Sequence, residues 1–391
     1  MHEDPSLEEK LDHLHHERSD TFLSVMKHIS DPLIRNTFED IKVEGLEDVL
    51  DCGRQQVFIS DHESEMDWLL LQRILSDKGI KTTVQAGDNL FVPGIGYLLR
   101  KCGGFMSVRD SHDFRYRGKN HSITKKEYAF SLYRPQLERI LSDEGYDVLI
   151  FPGYSVDKYT GETKSGRSYD GKFNPFMPVP FARVSEVAKK QDLDLAFREV
   201  KISYERVPED TAFRQFKNMT GGSKLLKNVY DHANTFLLSP WKRRMKSIKP
   251  YAIIKFGEEH SPEKKGRILA EELYEGVGSL LRVYPTQLIF ASTDDKYKIS
   301  KHDLLGNVKR NVDKLYEKGI DITPVHDGNR LMPLDSMLNR IERLFNYNKV
   351  PIIATHNYQT IEHDKNEVFI WHPHLARYYS NKLNYLLKDE A

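Results

Sequence analysis

The residues best suited to chemistry fall in four short blocks, and the first is His62-Glu63-Ser64-Glu65-Met66-Asp67. A histidine and an aspartate at this spacing can serve as a base and its orienter. A neutral imidazole, with an ordinary pKa near ~6.5, takes a proton at neutral pH, and a carboxylate behind it fixes the tautomer and stabilises the cation. Spacing alone does not single the pair out, because His15 and Asp20 repeat it in an N-terminal stretch of helical pattern. Context does: His62 follows the run Gln56–Ser60, fit for a strand, and opens an amphipathic helix, and strand ends of α/β sheets are where ligands bind. The plainer alternative is that Ser64 and Asp67 cap the helix and His62 is a solvated loop residue.

The second block, Cys102 to Asp110, joins Gly103 and Gly104 to Arg109. Glycines admit close backbone approach, and an arginine can hold a phosphate through two parallel hydrogen bonds; the alternative is a helix end followed by a surface arginine. The third runs from Phe151-Pro152-Gly153 to Gly166, Arg167, Ser168, Gly171 and Lys172, residue types apt for an anion, or else a plain surface loop. The fourth, Val200 to Pro208, is a strand turning into a proline-containing loop that presents Tyr204, Glu205 and Arg206 at a sheet edge.

The elements that must position these blocks alternate. Apolar positions at helical spacing from Leu7 to Met26 read as a helical preface over residues 1–50, broken at Pro32. Strands are expected at 56–60, 81–86, 105–108, 146–151, within 195–207 and at 251–256, with a last one at 350–354. Helices are expected at 64–77, 93–101 and 123–143, and helical patterns dominate beyond residue 262. Strands separated by helices predict an α/β fold, a sheet with helices on its faces, spanning residues 51–300. Residues 301–391 read as a mainly helical C-terminal region.

Composition narrows the function classes. Among 391 residues, 58 cations balance 58 acidic side chains, which excludes a global basic field for nucleic acid. Two cysteines, Cys52 and Cys102, exclude a disulfide framework and suit a reducing compartment. No long apolar run predicts a membrane-spanning helix, and the N-terminus has no signal-peptide core. A basic stretch, Pro240-Trp241-Lys242-Arg243-Arg244-Met245-Lys246-Ser247-Ile248-Lys249, mixes cations with Trp241, Met245 and Ile248 in a way that suits an anionic membrane surface, the alternatives being a solvated helix face or a patch for CoA phosphates or an acidic carrier protein.

Taken in order, the blocks SDHESEMDWLLL, GGFMSVRD, SGRSYDGK and KISYERVPE resemble the glycerol-phosphate acyltransferase family, in particular its glycerol-3-phosphate and dihydroxyacetone-phosphate branch. The segments YAIIKFGEEHS, VYPTQLIFAS and HLARYYSNKLNYLL look like the family's downstream pieces. The resemblance implies a mixed β-sheet flanked by helices. It also implies transfer of a fatty acyl group from acyl-CoA or an acyl carrier protein to a hydroxyl of glycerol 3-phosphate or a related phosphorylated alcohol, in phospholipid biosynthesis. His62 would be the base and Asp67 its partner. Arg109, Arg167, Ser168 and Lys172 would hold the phosphate, and Gly104, Gly166, Tyr204, Glu205 and Arg206 would extend the acceptor site. No cofactor or metal is expected, only the thioester co-substrate, and the expected location is the cytoplasmic face of a membrane, attached peripherally.

This sequence departs from the family pattern in three blocks. The second keeps one arginine, Arg109, with Val108 where another would stand. The glutamate of the third block is replaced by Gly153 or Lys164, depending on where an insertion is placed, and Arg198-Glu199-Val200-Lys201 replaces the usual Pro-Val. A degenerate, non-catalytic acyl- or lipid-binding protein is therefore the second reading. A third is a metal-dependent hydrolase using His13, His15, His16, His326 with Asp327, and His372 with His374, although these lack a recognised ligand spacing.

Overall fold

Short runs of Val, Ile, Leu and Phe, separated by amphipathic helices, assemble into a seven-stranded sheet in the computed structural model. The structure describes residues 17–87, 90–91, 95–107, 111–116, 119–124, 132–156, 163–165, 171–208, 248–293, 298–323, 325–326, 330–345, 361–370 and 373–387. The sheet strands are β1 (Ile41–Glu44), β2 (Gln55–Ile59), β3 (Thr82–Gly87), β4 (Gly104–Ser107), β5 (Asp147–Ile150), β6 (Leu195–Tyr204) and β7 (Ala252–His260). Their spatial order is β1-β7-β6-β2-β5-β3-β4. Strands β6, β2, β5, β3 and β4 pair in parallel and so deliver their carboxyl ends to one edge. Strand β7 runs antiparallel to β6 and parallel to β1, which makes the sheet mixed.

The helices are α1 (Asp20–Thr37), α2 (Leu46–Asp51), α3 (Asp67–Asp77), α4 (Ile95–Lys101), α5 (Arg134–Glu138), α6 (Pro178–Gln191), α7 (Gly266–Ser279), α8 (Pro285–Ala291), α9 (Lys301–Glu317), α10 (Leu334–Phe345) and α11 (Pro373–Leu387). Side chains alternate across a strand, so the sheet feeds two cores. Phe58, Leu149, Val200, Ile202 and Tyr204 face α3 and the C-terminal helices α8 to α11. Val57, Ile59, Val148, Ile150 and Phe197 face α5, α6 and α7. Helix α6 begins where prolines are tolerated, with Pro178 and Pro180 in its first turn, and ends on Asp192 in the left-handed conformation at φ 54°.

Several expectations are corrected by this architecture. The N-terminal region expected to be helical contains β1, whose residues pair with Ala252 to Lys255 at the sheet edge. Helix α1 continues through Pro32. Next to the proline, the Asp31 carboxylate is gripped on both oxygens by Arg73 of α3, at 2.5 and 3.2 Å, which ties α1 to α3. Ile123 lies not in a long helix but in a hairpin of Ser111–Tyr116 with Lys119–Thr124, opposite His112. Among the described residues, the α-helix of this stretch is Arg134–Glu138, followed by a π turn through Asp143. The strand expected at 350–354 lies outside the described residues.

The C-terminal region pairs three short strands, Lys298–Ser300, Glu367–Ile370 and Ile361–His363, with its helices. It shares one continuous core with the face of the sheet that carries α3.

Candidate active site

The loop after β2 turns sharply into α3, and Asp67, the first residue of that helix, folds its carboxylate back over the turn. Its Oδ2 accepts from the backbone N–H of Glu63 at 2.7 Å and of Ser64 at 2.8 Å. The same oxygen lies 2.9 Å from His62 Nδ1. Its other oxygen accepts from the Tyr204 hydroxyl at 2.6 Å. Asp67 is buried at 1% exposure, so an unpaired carboxylate would be costly here; four donors compensate it. Because a carboxylate only accepts, Nδ1 must carry the ring proton, which leaves Nε2 as the basic nitrogen of a neutral imidazole. The His62 ring leans on Phe151 at 4.8 Å between centroids, which limits its rotation.

Beside this pair lies a small cavity of about 20 Å³, room for roughly one water. His62, Asp61, Glu63, Lys172, Lys201 and Lys382 are among its lining residues. Lys201 Nζ bridges Asp61 and Glu63, 2.7 Å from Glu63 Oε1, while the second Glu63 oxygen is paired with Lys382 of α11. Burial pushes the Asp61 carboxyl up, to about 7, against the pull of Lys201. Burial also opposes ionisation of Glu63, but two ammonium groups outweigh it and hold that carboxyl down at about 2. An adjacent cation is worth ~4 kcal/mol at an effective dielectric of ~20, so two can beat desolvation. Lys201 resists the same burial because two carboxylates flank it, and its pKa is raised. Lys382 is lowered, by burial first and then by the Lys201 charge, despite its contact with Glu63.

The remaining residues singled out from the sequence are placed differently. Arg109, Gly166, Arg167 and Ser168 lie outside the described residues. Lys172 is exposed and lines the His62 cavity. Its neighbour Gly171 has φ +77°, and a Cβ there would meet the Tyr378 carbonyl oxygen at 1.8 Å, so this segment presses directly on α11. Gly104 opens β4, three strands from β2, and is needed for close packing on α4: a Cβ would stand 2.8 Å from the Leu99 oxygen.

Tyr204, Glu205 and Arg206 are not displayed at an open sheet edge. All three are buried, because the C-terminal helices cover this end of β6. Tyr204 acts on Asp67. Glu205 forks onto Arg340 of α10 and accepts from the Tyr251 N–H at 3.1 Å. Arg206 donates to the Leu344 oxygen and stacks over Phe345 at 4.8 Å. Asp61, Glu63 and Lys382 were not singled out from the sequence. The first two flank His62 in sequence, Glu63 within the first block and Asp61 just before it, but Lys382 is 319 positions from Glu63 and leaves no spacing signal. Among the described residues, no group of three or more His, Cys, Asp or Glu side chains is placed to hold a metal ion.

Fold and site together define an α/β protein with a carboxylate-oriented histidine at the carboxyl edge of its sheet. Residues 40–176 match the family model described as Acyltransferase. It is 26% identical to a glycerol-3-phosphate acyltransferase of Xanthomonas campestris pv. campestris over 232 residues, 56% of this chain and 23% of that protein. The corresponding protein of Xylella fastidiosa is 23% identical over 327 residues, 75% of this chain and 34% of its own length. That of Ectopseudomonas mendocina is 27% identical over 199 residues, 50% of this chain and 21% of its own. The chain thus spans about a third or less of the length of these relatives.

Proposed function

We propose that the protein transfers a fatty acyl group from a thioester, acyl-CoA or acyl carrier protein, to a hydroxyl of glycerol 3-phosphate or a related phosphorylated alcohol. The observation that carries this reading is the His62–Asp67 contact of 2.9 Å, with three further donors holding the carboxylate. In the reaction, Nε2 of His62 takes the proton of the acceptor hydroxyl as its oxygen attacks the thioester carbonyl. The C–O bond forms, the C–S bond breaks, and the proton passes from the imidazolium to the departing thiolate sulfur. Asp67 holds the ring and stabilises its cation, and no side chain of the enzyme is acylated.

Lys172 borders the cavity and would meet the acceptor phosphate together with Arg109, Arg167 and Ser168. No metal or other cofactor is needed, because a thioester is already activated. Attachment to the cytoplasmic face of a membrane would deliver the lipid product, through the basic stretch Trp241 to Lys246. Two further residues of that stretch are engaged elsewhere: Ile248 packs on the core, and Lys249 Nζ donates to the Arg35 oxygen at 2.8 Å. Among the described residues, no helix is long and apolar enough to cross a membrane. Thiol release by the purified chain, with each donor against glycerol 3-phosphate and dihydroxyacetone phosphate, tests the assignment. Acceptor-dependent release supports it, and none with any pair leaves a non-catalytic acyl-binding protein.

A further inference from the structure

Helix α11 lies far outside the matched stretch 40–176, yet it sends one charged side chain into the site. Lys382 is 5% exposed and ion-paired with Glu63, which is also 5% exposed. Glu63 follows His62 directly, and its backbone N–H shares Asp67 Oδ2 with His62 Nδ1. We propose that Lys382 is a positioning residue for His62, fixing the Glu63 carboxylate and through it the loop that carries the imidazole. The inference rests on the acyl-transfer reading for what His62 does.

The geometry makes Glu63 a three-point anchor. One carboxylate oxygen is held by Lys201 of β6, the other by Lys382 of α11, and the backbone nitrogen by Asp67 of α3. Two of those grips come from the sheet and the helix that already bracket the loop. The third crosses from the C-terminal region. Stability is a poor reason to keep such a group. A buried ion pair costs several kcal/mol per ion in desolvation, and exchanging it for apolar residues is often neutral or better. What the arrangement does supply is one fixed loop conformation. That matters for a base, since a misplacement of ~1 Å can cost ~10²-fold in rate.

Lys382 also sets the charge near the ring. Facing His62 are Asp67 from α3, Asp61 and Glu63 from its own loop, and Lys201 from β6. Lys172 and, from α11, Tyr378, Tyr385 and Lys382 also line the cavity. Removing the Lys382 cation leaves the carboxylates less opposed, so the imidazolium becomes easier to form.

The test replaces Lys382 by Met, of similar length without charge, and by Arg, which keeps the charge. Lys382→Met should lower kcat by ~10- to 100-fold while both KM values stay within ~2-fold, as expected when the fault is alignment of the base. Lys382→Arg should recover most of that loss. An NMR titration of the His62 ring, which needs no turnover, should show its pKa rising by at least ~0.5 unit in Lys382→Met, since one nearby charge is worth more than that. Thermal melting checks that each variant is folded, and Lys382→Gln takes the place of Lys382→Met if the latter is not. A folded Lys382→Met with unchanged kcat and an unmoved His62 titration would overturn the proposal. So would an equal loss in Lys382→Arg and Lys382→Met with no movement of the titration, which would mark packing as the cause. If the wild-type chain transfers no acyl group to any acceptor, the reaction assignment fails, and the titration alone decides whether Lys382 controls His62.

Discussion

His62 and His260 each sit against a buried carboxylate, and the proposed function makes only His62 a base. His62 has its Nδ1 at 2.9 Å from Asp67 and borders the cavity beyond the carboxyl end of β2. His260 ends β7 opposite Phe197, near the amino end of β6, with Nε2 at 2.7 Å from Glu199. Its other nitrogen faces a second carboxylate, Glu272, at 3.4 Å. The hydrogen bond to Glu199, against the opposing effect of burial, raises the His260 pKa. Acids on both sides favour the protonated form of this imidazole, which links β6, β7 and α7 as a structural clasp. The difference teaches that contact with a carboxylate does not make a histidine catalytic. The number of acids at the ring separates the two: His62 Nδ1 meets Asp67 beside the cavity, while both nitrogens of His260 meet carboxylates.

That contrast can be broken most severely at the carboxylates. Asp67→Asn removes the charge that fixes the His62 tautomer, and turnover should fall by ~10²- to 10⁴-fold, the range reported by analogous changes behind a histidine base. The matching change at the other pair, Glu199→Gln, should leave kcat within ~2-fold and be visible only in thermal melting. Comparable losses in both variants would erase the distinction.

A milder effect is expected at Tyr204. Tyr204→Phe strips one donor from a buried Asp67 oxygen, which should cost ~1–3 kcal/mol of stability and lower kcat by less than the Asp67 change. Denaturant melts and steady-state rates of the same preparation measure both. A larger kcat loss than in Asp67→Asn would mean that Tyr204 touches the substrate.

The smallest effect belongs to pH. Because the folded pKa of His260 lies above its unfolded value near ~6.5, the stability that the clasp contributes is full below that pH. It is lost as pH rises through the raised folded value. The melting-temperature gap between the wild type and His260→Gln should therefore be widest near pH ~5.5 and narrow toward pH ~8. A gap that widens with pH would mean His260 is held neutral.

Much of the arrangement was legible in the residues themselves. The Gln56–Ser60 run before the His62 block announced a strand turning into a helix, and β2 and α3 stand there. The alternating pattern announced a sheet with helices on both faces. Strand β1 was hidden because Ile41-Lys42-Val43-Glu44 is short, half polar, and paired with β7, some 210 residues downstream. The role of Arg340 was invisible for the same kind of reason: its partner Glu205 is 135 positions away, and an ion pair leaves no period in the chain. Tyr204 to Arg206 looked accessible because a strand entering a proline-containing loop normally ends at a surface. Here α10 and α11 pack over that surface and turn candidate binding groups into anchors.

Acyl transfer by His62→Ala and His260→Ala, measured side by side with wild type under one donor and acceptor, addresses the assignment of the base most directly. The account predicts a loss of at least ~10²-fold in folded His62→Ala and a rate close to wild type in His260→Ala. A folded His62→Ala protein that keeps full activity would contradict it.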